Sequence, residues 1–176
     1  MEKYTDYWDS LCQIYFLTKH YLLIAEELSD DFDTFLQPVK EHRDAFDHIA
    51  RVFGTKYMET EVENINIETY RVQNMRKAVG HAYRAFFDTA DWLSYVCRQK
   101  IRKIIVDMPK NQLIEKYPRY DELKEKLIQI PKDIAKIRGN KDVSDSEDVL
   151  IKEVERYTKI LDELIKDYSD ICKVFL

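Results

Sequence analysis

Glycine and proline are scarce: the 176 residues contain only 3 Gly and 4 Pro. Sandwiches, barrels and doubly wound sheets need turn residues about every ten positions, so this scarcity excludes them and leaves an all-α chain. No glycines cluster, which removes Walker-type and dinucleotide-binding loops. Long apolar runs are missing too. The longest, such as Tyr21 to Ala25, are far too short to span a bilayer. Glu2, Asp6 and Asp9 interrupt any secretory leader. The expectation is therefore a cytoplasmic protein that makes no use of a membrane. Only 3 cysteines occur, Cys12, Cys97 and Cys172. They are far apart, odd in number and set in apolar helical stretches, and read as buried reduced thiols, neither disulfides nor a zinc site.

The composition, 45% hydrophobic and 35% charged residues, is that of a globular chain. Its length suits a single domain over 1–176 with a real core. The net charge of −5 hides a partition. Residues 1–70 carry 15 acidic and 6 basic side chains (net −9), residues 71–110 carry 3 and 9 (net +6), and residues 111–176 carry 15 and 13 (net −2).

Helical periodicity accounts for nearly the whole chain. A first helix is expected from about Lys3 to Leu28, with Tyr4, Trp8, Leu11, Tyr15, Leu22 and Ala25 in phase. Ile14, Phe16, Leu17 and Tyr21 widen that face, which suggests contact on two sides. A second runs from about Asp31 to Phe53, stopped by Gly54, with Phe32, Phe35, Val39, His42, Phe46, Ile49 and Phe53 as its core stripe. Residues 55–66 read as a loop. A third helix runs from about Ile67 to Met108, with Val72, Met75, Val79, Ala82, Phe86, Leu93 and Cys97 inward. Its length, roughly 60 Å at 1.5 Å per residue, exceeds a compact bundle, so a break is expected, with Gly80 one candidate. A short helix follows around Pro109 to Lys116. A fourth main helix spans about Pro118 to Arg138, with a kink or restart at Pro131. Ser144 and Glu147 form a capping box for the last helix. There Leu150, Val154, Tyr157, Leu161, Leu164, Tyr168, Ile171 and Phe175 repeat as a heptad seam, suited to packing within the bundle or between subunits. The tyrosines on these stripes, such as Tyr15, Tyr157 and Tyr168, read as bulky core. The fold class is an antiparallel bundle of four to five main helices.

Two constellations could carry chemistry. On the second helix stand Glu41, His42, Arg43, Asp44, Asp47 and His48. Histidine titrates near neutrality and can move a hydroxyl proton; arginine keeps its charge and can clamp a phosphate. Five positions at 100° put Arg43 and His48 about 140° apart, so they border a cleft from opposite sides. The same residues also read as a structural network, with Arg43–Asp47 and Asp44–His48 as i,i+4 pairs and His42 as a satisfied core histidine. On the third helix, His81, Arg84, Asp88, Asp91 and Tyr95 line one face, with Arg84–Asp88 the obvious internal pair. If the two helices pack antiparallel, Glu41, Arg43, Asp44, His48, His81, Arg84 and Asp88 form one cluster, with Gly80 permitting close approach. No Glu-x-x-His pair occurs, so no metal centre is expected and no cofactor is implied.

The string Arg43-Asp44-Ala45-Phe46-Asp47-His48 resembles the Arg-x4–6-His signature of the HEPN superfamily of small all-α bundles. A second match, Arg76 to His81, has Lys77 where that family favours Asn, Asp or His. The resemblance implies a metal-independent endoribonuclease working as a homodimer, in a toxin or phage-defence setting. His48 would be the acid/base, Arg43 the phosphate clamp and Asp44 the group orienting His48, with Glu41, Asp47, His81, Arg84 and Asp88 supporting. The wider Glu-x-Arg-Asp-Ala-x-Asp-His string, followed by Gly80 to Asp88, also resembles a widespread bacterial form of helical protein. Arg76, Lys77, Arg98, Lys100, Arg102 and Lys103 on the third helix would fit an RNA or nucleotide footprint. They would equally fit a docking face for acidic helices or the solvated end of a helix. Two other functions fit the residues: a helical adaptor that binds a protein partner and whose cluster is structural, and a small-ligand or nucleotide sensor.

Overall fold

The computed structural model describes residues 4–30, 34–57, 66–139 and 147–176. Among them lie six α-helices and no strand: α1 (Thr5–Leu28), α2 (Leu36–Phe53), α3 (Ile67–Ile105), α4 (Lys110–Lys116), α5 (Tyr120–Gly139) and α6 (Glu147–Phe175), with a 3-10 turn at Gly54–Tyr57. The Ser144 end of the expected capping box and the expected start of α2 at Asp31 and Phe32 lie outside the described residues. No helix among these is long and apolar enough to cross a membrane.

Contacts divide the chain into two compact units, Met1–Leu23 with Thr34–Thr89 and Ile24–Asp33 with Ala90–Leu176. In the first, α1 lies antiparallel to α2: Trp8 stacks near Phe53 (6.1 Å) and Tyr15 near His42 (5.3 Å). It lies parallel to α3, where the Tyr4 hydroxyl donates to Glu68 and Tyr21 meets Phe86 edge-on. Leu11, Ile14, Thr18 and Tyr21 of α1 and Met75, Ala78, Val79, Ala82, Tyr83, Ala85 and Phe86 of α3 are buried in this unit.

The expected contact of α1 on two sides is present, with α2 and with α3, although Tyr15 and Phe16 are exposed. Two expectations are corrected here. Helix α2 begins at Leu36, with Pro38 in the first turn where its missing N–H has no helical acceptor to lose. And α2 turns the other way round from its aromatic stripe. Pro38, Ala45 and Val52 are buried, whereas Phe35, Val39, Phe46 and Phe53 are exposed, Phe46 at 69%.

Helix α3 is unbroken across Gly80. A mid-helix glycine costs about 1 kcal/mol. A break among buried neighbours would instead orphan several carbonyls and N–H groups away from water. Its residues 67–89 belong to the first unit and the rest to the second.

In the second unit, Leu123, Leu127, Ile130, Ile134 and Ile137 of α5 and Leu150, Val154, Tyr157, Leu161, Leu164 and Ile171 of α6 are buried. The heptad seam is thus spent within the chain. Helix α5 does not restart at Pro131. The apolar stripe on both sides of the proline holds the helix together, although the Leu127 carbonyl lacks the N–H that residue 131 would supply. Lys126 reaches buried Asp167 at 2.8 Å, and the Tyr157 hydroxyl donates to Asp91 at 2.7 Å.

All three cysteines are free thiols, but only Cys97 is buried; Cys172 is half-buried and Cys12 exposed, against expectation. Burial pushes the Cys97 thiol up to about 12, against a small opposing effect of Arg98. Tyr15 is exposed; Tyr168 is half-buried, and its interaction with Cys172 together with burial raises its hydroxyl to about 12.

Candidate functional site

Seven residues are two helical turns less about 20°. Glu41 and His48 therefore share a face of α2, and Asn74 and His81 share a face of α3. Because the two helices run antiparallel within the first unit, seven residues up one are matched by seven down the other. Glu41 meets His81, with Oε2 2.8 Å from Nδ1. His48 meets Asn74, with Nδ1 2.9 Å from Oδ1. Between these two rungs the rings of His48 and His81 stack, with centroids 5.2 Å apart and planes 27° from parallel.

The neighbours fix the protons. The Asn74 amide nitrogen donates to the Tyr70 carbonyl at 2.8 Å, which turns its oxygen toward His48. His48 must then carry its proton on Nδ1. Glu41 also takes a hydrogen bond from Arg84 Nε at 2.9 Å, on the same Oε2 that faces His81. A carboxylate only accepts, so His81 is likewise protonated at Nδ1. Arg84 Nη2 comes within 2.7 Å of that nitrogen. Two donors face each other there, held together by the carboxylate they share. In the neutral form each ring keeps Nε2 as its acceptor, and among the described residues neither Nε2 has a hydrogen-bond partner.

Electrostatics follow the geometry. Burial would raise the Glu41 carboxyl, but the hydrogen bonds from Arg84 and His81 outweigh it and hold Glu41 below the ordinary glutamate value. The Glu41 and His81 side chains are 12% and 18% exposed, Arg84 37%. The pair is thus shielded enough for its charges to matter more than a surface bridge would.

The expected cluster assembles in part. Glu41, His48, His81 and Arg84 come together as anticipated. Asp44 does not orient His48: its Oδ1 accepts from Arg43 Nη2 at 2.7 Å and Nε at 2.9 Å, and that bond is the main reason its carboxyl titrates low. Asp47 pairs with Arg51 at 2.7 Å, so neither expected i,i+4 pair, Arg43–Asp47 or Asp44–His48, forms. Arg84 bridges to Glu41, where Asp88 was the expected partner. Arg43 is 73% exposed at its side chain. His42 is not a satisfied core histidine: its Nε2 is buried without a hydrogen-bond partner among the described residues. It lines a largely apolar groove of about 270 Å³ with Trp8, Leu11, Cys12, Tyr15, Phe16 and Phe46. Burial lowers the His42 pKa, against a smaller raising effect of Glu41.

Asn74 was missed. Its signal was its position two turns before His81, matching Glu41 and His48 on α2. Among the basic residues, Arg76 Nε donates to the Tyr7 hydroxyl and Arg98 Nε turns back to the Ser94 carbonyl. Lys100 is bound to Asp30 at 2.6 Å, while Lys77, Arg102 and Lys103 are exposed. Among the described residues no three His, Cys, Asp or Glu side chains are placed to hold a metal ion. Compared with protein-family models, curated proteins and solved structures, the chain finds no match.

Proposed function

We infer that the first unit carries a metal-independent acid–base site acting on RNA, in a HEPN-like protein that works as a homodimer. The observation that supports this reading best is the stacked pair His48 and His81, each ring anchored at Nδ1 and unengaged at Nε2. Such a pair suits cleavage by internal transesterification. His48 Nε2 takes the proton of a ribose 2′-hydroxyl. The 2′-oxygen attacks phosphorus, and a 2′,3′-cyclic phosphate forms as the bond to the 5′-oxygen breaks. His81, entering in its protonated form, supplies the proton that the leaving 5′-oxygen needs. Asn74 and Glu41 act as positioning residues for the two rings. Arg43, exposed on α2, is the phosphate clamp.

The exposed face of α2 gives the homodimer a physical basis. Val39, Arg43 and Phe46 follow one another at helical spacing with Phe53 beyond, and a second copy covering that stripe would place Arg43 at the interface. The same stripe favours a second reading, a non-catalytic adaptor whose aromatic face binds a protein partner and whose Glu41–Arg84–His81 network is structural.

Cleavage of a labelled single-stranded RNA in EDTA separates the two. Wild type is expected to release fragments ending in cyclic phosphate. His48→Ala should slow this by about 10²–10⁴-fold, with a smaller loss for Arg43→Ala. Equal cleavage by wild type and His48→Ala, or none by either, leaves the adaptor.

A further inference from the structure

The second unit contains a cavity of about 580 Å³ lined by Ser29, Asp30, Trp92, Tyr95, Val96, Gln99, Lys100, Arg102, Lys103 and Val106. Its volume is in the range of small-molecule sites. The α3 residues among these recur at three- and four-residue intervals, so they form one wall. The wall is graded: Trp92 and Tyr95 stand at one end, Arg102 and Lys103 at the other. Tyr95 and Lys103 are eight residues apart on an unbroken helix, which is about 12 Å. Tyr95 is 55% exposed, and among the described residues no ion pair engages Arg102 or Lys103. Between the two ends, the Asp30 carboxylate is pinned by Lys100 at 2.6 Å. That bond and the charge of Lys103 keep Asp30 ionised, hence an acceptor only.

We propose that this cavity binds a nucleoside diphosphate. An aromatic ring at one end, a hydroxyl-seeking carboxylate in the middle and two exposed cations at the other end match, in order and in span, a base, a ribose and a pyrophosphate. The base stacks on Tyr95 against the wall formed by Trp92. Asp30 accepts hydrogen bonds from the ribose hydroxyls. Arg102 forks onto phosphate oxygens, with Lys103 as a point charge beside it. Among the described residues the lining carries three cations against one carboxylate, the sign an anionic ligand requires. The cavity belongs to the second unit, so the inference stands apart from the acid–base reading of His48.

The test is fluorescence anisotropy of mant-ADP titrated with the full chain at low salt. Saturable binding is expected. Arg102→Ala with Lys103→Ala should weaken it by at least about tenfold. Tyr95→Ala should weaken it by roughly five- to a hundredfold, with Tyr95→Phe retaining most affinity. All three side chains are exposed, so unchanged melting temperatures are expected to accompany these losses. His48→Ala should bind as wild type does. Absence of saturable binding overturns the proposal, as does binding indifferent to the double substitution. A fluorescein-labelled RNA 12-mer that binds through Arg102 and Lys103 while mant-ADP does not would also overturn it, in favour of a nucleic-acid surface.

Discussion

A buried ring nitrogen with no partner is a cost that a substitution can remove. Among the described residues His42 Nε2 is such an atom, set in a largely apolar groove beside Tyr15. An unsatisfied buried polar group costs about 1–3 kcal/mol. His42→Phe keeps the ring and deletes the orphan, and is expected to stabilise the chain by about 1 kcal/mol at pH 8 in urea denaturation. The gain should grow on acidification. Burial depresses the folded-state pKa of His42 below the ordinary histidine value of 6.5. Between those two values the unfolded chain binds the proton and the folded chain does not. The stability associated with His42 is therefore complete above about pH 6.5 and is lost as pH falls toward the depressed value. His42→Phe abolishes that loss, so its advantage over wild type should be larger at pH 5 than at pH 8. Equal advantages would mean that His42 titrates as an exposed histidine. Periodicity located His42 on an apolar stripe. It could not say that the polar atom would go unmatched, because no partner residue is encoded near it in the chain.

At the scale of elements, α2 and α6 teach opposite lessons. The α6 seam has one apolar stripe and a strongly polar remainder, so its buried face was legible. Leu161 and Leu164 are fully buried and Ile151, off the seam, is 37% exposed. Leu161→Ala is expected to cost about 2–5 kcal/mol, whereas Ile151→Ala should stay within about 0.5 kcal/mol. Similar costs at the two sites, measured by denaturant midpoint, would refute the burial assignment. Helix α2 instead carries two neighbouring stripes with the same three- and four-residue rhythm. One is Pro38, Glu41, Ala45, His48 and Val52; the other is Val39, His42, Phe46, Ile49 and Phe53. The second is the more apolar and reads as core, yet the first faces α3. Small side chains at Ala45 and Val52 let the helices approach, and Glu41 and His48 find their partners only on that side.

At the scale of the whole chain, the aromatic face of α2 is a large apolar liability for a monomer. Phe46→Asp should leave the melting temperature nearly unchanged, since Phe46 is 69% exposed. If the proposed dimer forms through this face, wild type should sediment as a dimer at micromolar concentration and Phe46→Asp as a monomer. A wild type already monomeric there would remove α2 as the interface between copies. The charge partition is also resolved. Acidic Asp30 and Glu41 from the −9 segment bind Lys100, His81 and Arg84 from the +6 segment. Part of the basic character of α3 is therefore consumed in packing, and Arg102 and Lys103 are what remains exposed at its end.

The sequence by itself determined the helical class, because too few turn residues exist to build sheets. It determined the start of α3 at Ile67 and the seam of α6. These are properties of composition and of spacing along one helix. Tertiary structure alone decided which of the two α2 stripes turns inward, that α3 passes Gly80 unbroken, and that Asn74, not Asp44, holds His48. The physical reason is common to all three. A helix fixes which of its own residues share a face, but the face that is buried and the partner a polar atom finds belong to the neighbouring helix, and only packing brings that neighbour into place.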